Sequence, residues 1–147
     1  MRGRSRLAND AWEAILSAHA VLMRRFAAED IWSTVSMREY DVLYTLSKCT
    51  QPVRMGELNR HVLLSQPALS RLVDRLVERG LVERSHDERD ARSVRVGLTA
   101  DGRAIQREVG LRHGRSVAAL VGGALSTEDL ETLERLGRAL AEHADRA

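Results

Sequence analysis

Residues 65–99, SQPALSRLVDRLVERGLVERSHDERDARSVRVGLT, constrain the fold of this chain more than any other stretch. Leu69, Leu72, Val73 and Leu76 fall at i, i+3, i+4 and i+7, which is one apolar stripe on a helix over about 65–79. Ser65 stands at the N-cap, and Pro67 lies in the first turn, where a missing N–H does no harm. Gly80 occupies the place where a helix ends on a left-handed residue. Leu81 to Ser85 then reads as a short strand. Ser93 to Leu98 alternates through Val94, Val96 and Leu98, as a half-buried strand does. A charged tip joins the two strands. The order is helix, glycine stop and a β-wing over about 81–98.

Helix signals dominate elsewhere. Leu7, Ala11, Ile15, Ala18, Leu22 and Phe26 recur at threes and fours, predicting a long first helix that starts near Ala8 and breaks at Trp32 to Val35. Ser36 precedes Glu39 at capping-box spacing, and Val35 and Tyr40 are placed for a hydrophobic staple. A second helix follows from Met37 to about Ser47, with Gln51-Pro52 as the turn after it. Met55 to Val62 is long enough for one short helix. Thr99 caps a fifth helix, with Asp101 near its positive end; Gly110 and Gly114 weaken it, and Gly122-Gly123 end it. Ser126 caps a last helix whose apolar row is Leu130, Leu133, Leu136 and Leu140. The expected fold is mainly α with a small β-wing, in the order α-α-α-α-β-β-α-α. A winged helix-turn-helix over 36–99 is flanked by a helical dimerisation region at 1–35 and 100–147.

Bulk composition excludes more than it identifies. The net charge of +2 does not establish a nucleic-acid partner, so a local concentration of arginine has to. Of the 23 basic residues only Lys48 is lysine, and arginine's planar fork matches phosphate oxygens and guanine edges. A single cysteine, Cys49, rules out an intrachain disulfide and fits a reducing cytosol. The basic N-terminus leads into no uninterrupted apolar run, so neither a signal peptide nor a membrane span is expected, and the protein is read as cytoplasmic. His19, His61, His86, His113 and His143 have no metal-ligand spacing. No nucleophile–base set and no glycine-rich phosphate loop suggests an enzyme or a cofactor.

The helix and wing carry the chemistry. Small or short residues at Ser65, Ala68 and Ser70, with Gln66 and Pro67 beside them, let the helix approach base edges closely. Arg71 suits a bidentate contact to guanine or a phosphate, and Gln66 suits adenine. Arg75 suits a phosphate, or a pairing with Asp74 or Glu78. In the tip, carboxylates beside Arg89 and Arg92 can hold the guanidinium groups extended, ready for a narrow minor groove. The bland alternative is a solvated surface helix and turn, whose exposed ion pairs are each worth under about 1 kcal/mol.

LSRLVDRLVERGLVER followed by DERDARSVRVGLTADG closely resembles the MarR (multiple antibiotic resistance regulator) family of winged-helix transcription factors. The likeness spans essentially the whole chain and is densest from Met55 to Gly102. The family's aspartate-any-arginine wing signature is matched by Asp90-Ala91-Arg92, with a second copy at Asp87-Glu88-Arg89. The resemblance implies a homodimer on a pseudo-palindromic double-stranded DNA operator. It is usually a repressor of a nearby or divergent gene, released by a small aromatic or anionic ligand. DNA contacts are then expected from Ser65, Gln66, Pro67, Ala68, Ser70, Arg71, Arg75, Arg89, Asp90 and Arg92. Ligand contacts are expected from Trp12, His19, Met23, Trp32, Tyr40 and Tyr44, against the plainer reading of an amphipathic core. Two other readings stay open. From Arg54 to Arg95 nine arginines face seven acidic residues, a weak local charge that suits a protein-interaction module. Cys49 leaves a redox-responsive regulator, although the family's peroxide sensors carry their cysteine in the first helix, where this chain has none.

Overall fold

The computed structural model describes residues 3–90 and 92–147. Its elements are α1 (Arg4–Ala27), α2 (Met37–Ser47), β1 (Val53–Arg54), α3 (Met55–His61), α4 (Gln66–Glu78), β2 (Val82–His86), β3 (Val94–Leu98), α5 (Ala100–Val117) and α6 (Thr127–Arg146). A single π-helical turn, Ala118–Gly122, follows α5. The fold is mainly helical with a small antiparallel sheet, as the sequence pattern predicts.

Two details differ from that prediction. Helix α1 begins at Arg4, a turn before the first strongly periodic residues. The sheet has a third strand, giving the order β1-β3-β2. Strand β1 is two residues long and pairs Val53 with Val96 and Arg54 with Arg95. So short a strand has no periodicity to read. A glycine opposite accommodates it: a Cβ on Gly97 would stand 3.2 Å from the Pro52 ring.

Two compact units make up the chain. One comprises residues 27–112, and the other joins the residues up to Phe26 with those from His113 onward. In the first, α2, α3, α4 and the sheet enclose one core. Leu43, Leu58, Leu69, Leu76, Val82 and Val96 are almost fully buried there. The α4 stripe is wholly inside, since Leu69, Leu72, Val73 and Leu76 are all buried. Each such side chain contributes about 1.5–3 kcal/mol of burial. In the second unit the apolar rows of α1 and α6 stay largely uncovered, with Leu7 56%, Ile15 45%, Leu133 52%, Leu136 53% and Leu140 50% exposed.

The end of α4 is fixed by local chemistry. Gly80 has φ 71°. Its N–H donates to Val77 O at 3.0 Å, and the Leu81 N–H donates to Leu76 O at 2.9 Å. These two bonds form a Schellman motif, with Leu76 and Leu81 meeting in the core. Thr99 then bonds both residues of the junction: its N–H donates to Leu81 O at 3.2 Å and its hydroxyl to Gly80 O at 2.6 Å. The same hydroxyl accepts from Gly102 N at 3.0 Å, capping α5. A Cβ on Gly102 would lie 1.9 Å from Leu81 O, a clash with backbone that no rotamer relieves. Gly102→Ala should therefore lose about 1–3 kcal/mol of stability in urea denaturation. An unchanged midpoint would show that the approach of α5 to Leu81 is loose.

Candidate nucleic-acid interface

Helix α4 presents its polar side outward. Ser65 caps it, accepting from Ala68 N at 3.3 Å, and no acidic residue lies in the first turn. The positive end of the helix dipole is therefore open to an anion. Ser65, Gln66, Pro67, Ser70, Arg71 and Arg75 are exposed and Ala68 is half-buried. Arg75 does not pair with Asp74 or Glu78. Asp74 instead binds the guanidinium of Arg84, which stands on β2.

The hairpin is ordered by two aspartates. The β2–β3 ladder runs from Val82↔Leu98 to His86↔Val94. Beyond it, Asp87 N donates to Ser93 O and Ser93 N to Asp90 O, both at 3.0 Å. Asp87 Oδ1 accepts from Arg89 N at 3.0 Å, and Asp90 Oδ1 accepts from Arg92 N at 3.0 Å. Asp90 Oδ2 also accepts from the Ser93 hydroxyl at 3.2 Å. Each aspartate thus bonds the backbone two residues on, a turn-forming habit of this side chain. This corrects the expectation that tip carboxylates hold the guanidinium groups of Arg89 and Arg92. The carboxylates grip the backbone of those residues instead. Ala91, within the signature, lies outside the described residues.

Two other arginines do receive a carboxylate. Asp87 Oδ2 accepts from Arg54 Nη2 at 3.0 Å and from Arg95 Nη2 and Nε at 3.0 and 3.3 Å. Arg95 also donates to Pro52 O at 3.3 Å. At the other end of α4, Arg79 donates to Glu39 Oε2 at 3.0 Å and to Thr34 O. Glu39 meanwhile completes the capping box of α2 by accepting from Ser36 N at 2.9 Å. Arg54, Arg79, Arg84 and Arg95 had no assigned role in the sequence pattern. Their partners lie 8 to 45 residues away, beyond the three- and four-residue spacings of a helix, so no spacing signal marks them.

The result is a division of labour among the arginines from α4 to the end of β3. Arg79, Arg84 and Arg95 are in ion pairs. Among the described residues, Arg71, Arg75, Arg89 and Arg92 have none, and all four are exposed.

Of the expected ligand residues, the structure brings three together. Trp32 and Tyr40 have ring centroids 5.7 Å apart, and Tyr40 and Tyr44 stack at 6.0 Å. Burial pushes the Tyr40 phenol above its usual value, opposed by a hydrogen bond with Gln106. Tyr44 is exposed, with Lys48 Nζ 4.8 Å over its ring. Trp12 and His19 are exposed and Met23 half-buried on α1, within the other compact unit. Cys49 is half-buried, and its thiol lies 3.4 Å from Thr45 O. Among the described residues, no group of three His, Cys, Asp or Glu side chains fits a metal ion, and no helix is long and apolar enough to cross a membrane.

The contacts of Asp87 hold its carboxyl at about 2, against an ordinary 3.8; the Arg89 N–H contributes most, then Arg54 and Arg95. A depressed acid contributes stability above its unfolded value and loses it as pH falls through the folded one. The tip should keep its order at pH 4 and lose it towards pH 2, about as the carboxyl protonates. In an NMR titration the Arg89 amide should shift with a midpoint near 2; a midpoint at the ordinary carboxylate value would contradict these bonds.

Comparison with known proteins agrees with this geometry. Residues 35–94 match the model of the MarR family. The multiple antibiotic resistance protein MarR of Salmonella typhimurium is 30% identical over 102 residues, spanning 69% of this chain and 70% of that protein. Among solved structures, AbsC, a MarR family transcriptional regulator from Streptomyces coelicolor, superposes with a TM-score of 0.79 at 26% identity, covering 100% of both chains. Sco3205, a regulator of the same family and organism solved in complex with DNA, gives a TM-score of 0.78 at 23% identity, covering 97% of this chain and 91% of its own.

Proposed function

This chain belongs to the MarR family, whose members are transcriptional regulators and not enzymes, and from that premise we propose that it is a homodimeric repressor reading a pseudo-palindromic DNA operator. It acts in the cytoplasm on a nearby or divergent gene, and a small aromatic or anionic ligand relieves it. Helix α4 enters the major groove with Ser65, Gln66, Pro67, Ala68, Ser70 and Arg71 toward the bases, while Arg75 meets phosphate. The wing carries Arg89 and Arg92 to the adjacent backbone or minor groove. Asp90 serves by shaping the tip, since its oxygens are already bonded there.

The observation that carries this reading is the division among the arginines. Surface ion pairs form readily wherever carboxylates are near, yet Arg71, Arg75, Arg89 and Arg92 stay unpaired among the described residues on the faces that would meet DNA. The modest net charge of this region, which suggested a protein-interaction module, is no obstacle. Asp74, Asp87 and Glu39 are offset by arginines with structural duties. Arg71, Arg75, Arg89 and Arg92 supply the field for phosphate.

The exposed apolar rows of α1 and α6 support the dimer. A two-fold dimer sets two recognition helices about 34–36 Å apart, one turn of DNA. The Trp32–Tyr40–Tyr44 cluster supports an aromatic ligand.

An operator selected from random duplexes makes these statements testable. Arg71→Ala should lose about 1–3 kcal/mol and relax specificity at one base pair. A uniform loss on every sequence would make it a phosphate contact. Arg92→Ala should weaken binding in anisotropy titrations with the melting temperature unchanged, whereas unaltered affinity would remove the wing from the interface. Leu136→Glu, placing a charge in the uncovered row of α6, should give a monomer in light scattering; a persistent dimer would exclude that face.

A further inference from the structure

Resting on the DNA-binding reading above, we propose that Asp87 is a positioning residue that aims the wing. Its carboxylate clasps the hairpin tip to the first strand of the sheet through Arg54 and Arg95, and so sets where Arg89 and Arg92 are presented.

The topology makes such a clasp necessary. Asp87 follows β2, at one edge of the sheet, and Arg54 belongs to β1 at the other edge. The bond from Arg54 to Asp87 therefore spans β3, whose Arg95 joins the same oxygen. The last ladder rung is His86↔Val94, so the tip projects beyond the paired strands. A two-stranded ribbon twists more freely than a wider sheet. Asp87 restrains it from three directions: the tip through Arg89 N, β3 through Arg95, and β1 through Arg54. Its side chain is only 10% exposed. Arg54 also stands at the N-cap of α3, the first helix of the helix-turn-helix. One carboxylate thus joins the wing to the unit that carries the recognition helix. Among the described residues Asp90 is bonded within the tip and provides no such link.

Simple electrostatics gives the opposite expectation, which makes the test sharp. A carboxylate near a DNA face repels phosphate, so removing its charge should tighten binding and steepen the salt dependence. A positioning role demands weaker binding. Asp87→Asn keeps an oxygen for Arg89 N and so preserves the turn, but gives up the charge that holds two guanidinium groups.

On the selected operator, Asp87→Asn should bind about tenfold more weakly, with a salt slope shallower by about 1–2 as wing contacts disengage. Its melting temperature should stay close to that of the wild type. Arg54→Gln should do the same, and the double variant should bind no more weakly than the weaker single one, because both break one clasp. Equal or tighter binding by Asp87→Asn would overturn the proposal, as would losses that multiply in the double variant. Should Asp87→Asn fail to fold, amide exchange at Arg89 in Arg54→Gln carries the test: faster exchange is expected, and an unchanged rate overturns it. Arg92→Ala separates the two levels. If the wild type shows no salt-dependent binding, the DNA reading fails. If Arg92→Ala weakens binding and Asp87→Asn does not, only the clasp fails.

Discussion

The junction at Gly80 and Leu81 is the constraint on which the interface depends. Within two residues the chain leaves the recognition helix, turns through a left-handed glycine and enters the wing. Thr99 and Gly102, arriving from the far end of the hairpin, bond or pack against the same two carbonyls. Recognition helix, both wing strands and the start of α5 therefore share one hydrogen-bonded node. A left-handed residue with a Cβ would cost roughly 1–2 kcal/mol at Gly80, and a side chain at Gly102 would push α5 off Leu81. The relative placement of helix and wing follows from backbone geometry before any charged side chain contributes.

Charge acts on top of that scaffold, and pairing matters more than the net value. A chain of net charge +2 looks unpromising for DNA when its residues are only counted. Once Asp74, Asp87 and Glu39 are matched to Arg84, Arg54, Arg95 and Arg79, the arginines of α4 and the wing, with Arg54, fall into two groups. The paired group links α4 to α2 and to β2, and the wing tip to β1 and β3. The group without ion pairs among the described residues, Arg71, Arg75, Arg89 and Arg92, stands on α4 and the wing, where the proposed function has it replace counterions around phosphate.

What was legible in the sequence was local. The capping box of Ser36 and Glu39, the caps at Ser65, Thr99 and Ser126 and the glycine stop all act over one to five residues, so a linear reading finds them. The stripe of α4 is legible for the same reason. Strand β1 was not, because Val53 and Arg54 become a strand only through Val96 and Arg95, about forty residues on. Asp87 shows both sides of this limit. Its place in a charged tip was visible, while its partners Arg54 and Arg95 are set by the fold. The expectation that tip carboxylates hold tip guanidinium groups failed there, since a backbone N–H two residues on is nearer than a flexible side chain.

The most direct test of this account is the salt dependence of operator binding. The comparison is between the wild type and a variant with Arg71, Arg75, Arg89 and Arg92 all replaced by glutamine. Each phosphate contact adds about 0.9 to the slope of log affinity against log salt on duplex DNA. The account predicts a steep slope for the wild type and a markedly shallower one for the variant, with both proteins equally folded. Equal slopes would mean that the unpaired arginines do not meet DNA, and would contradict it.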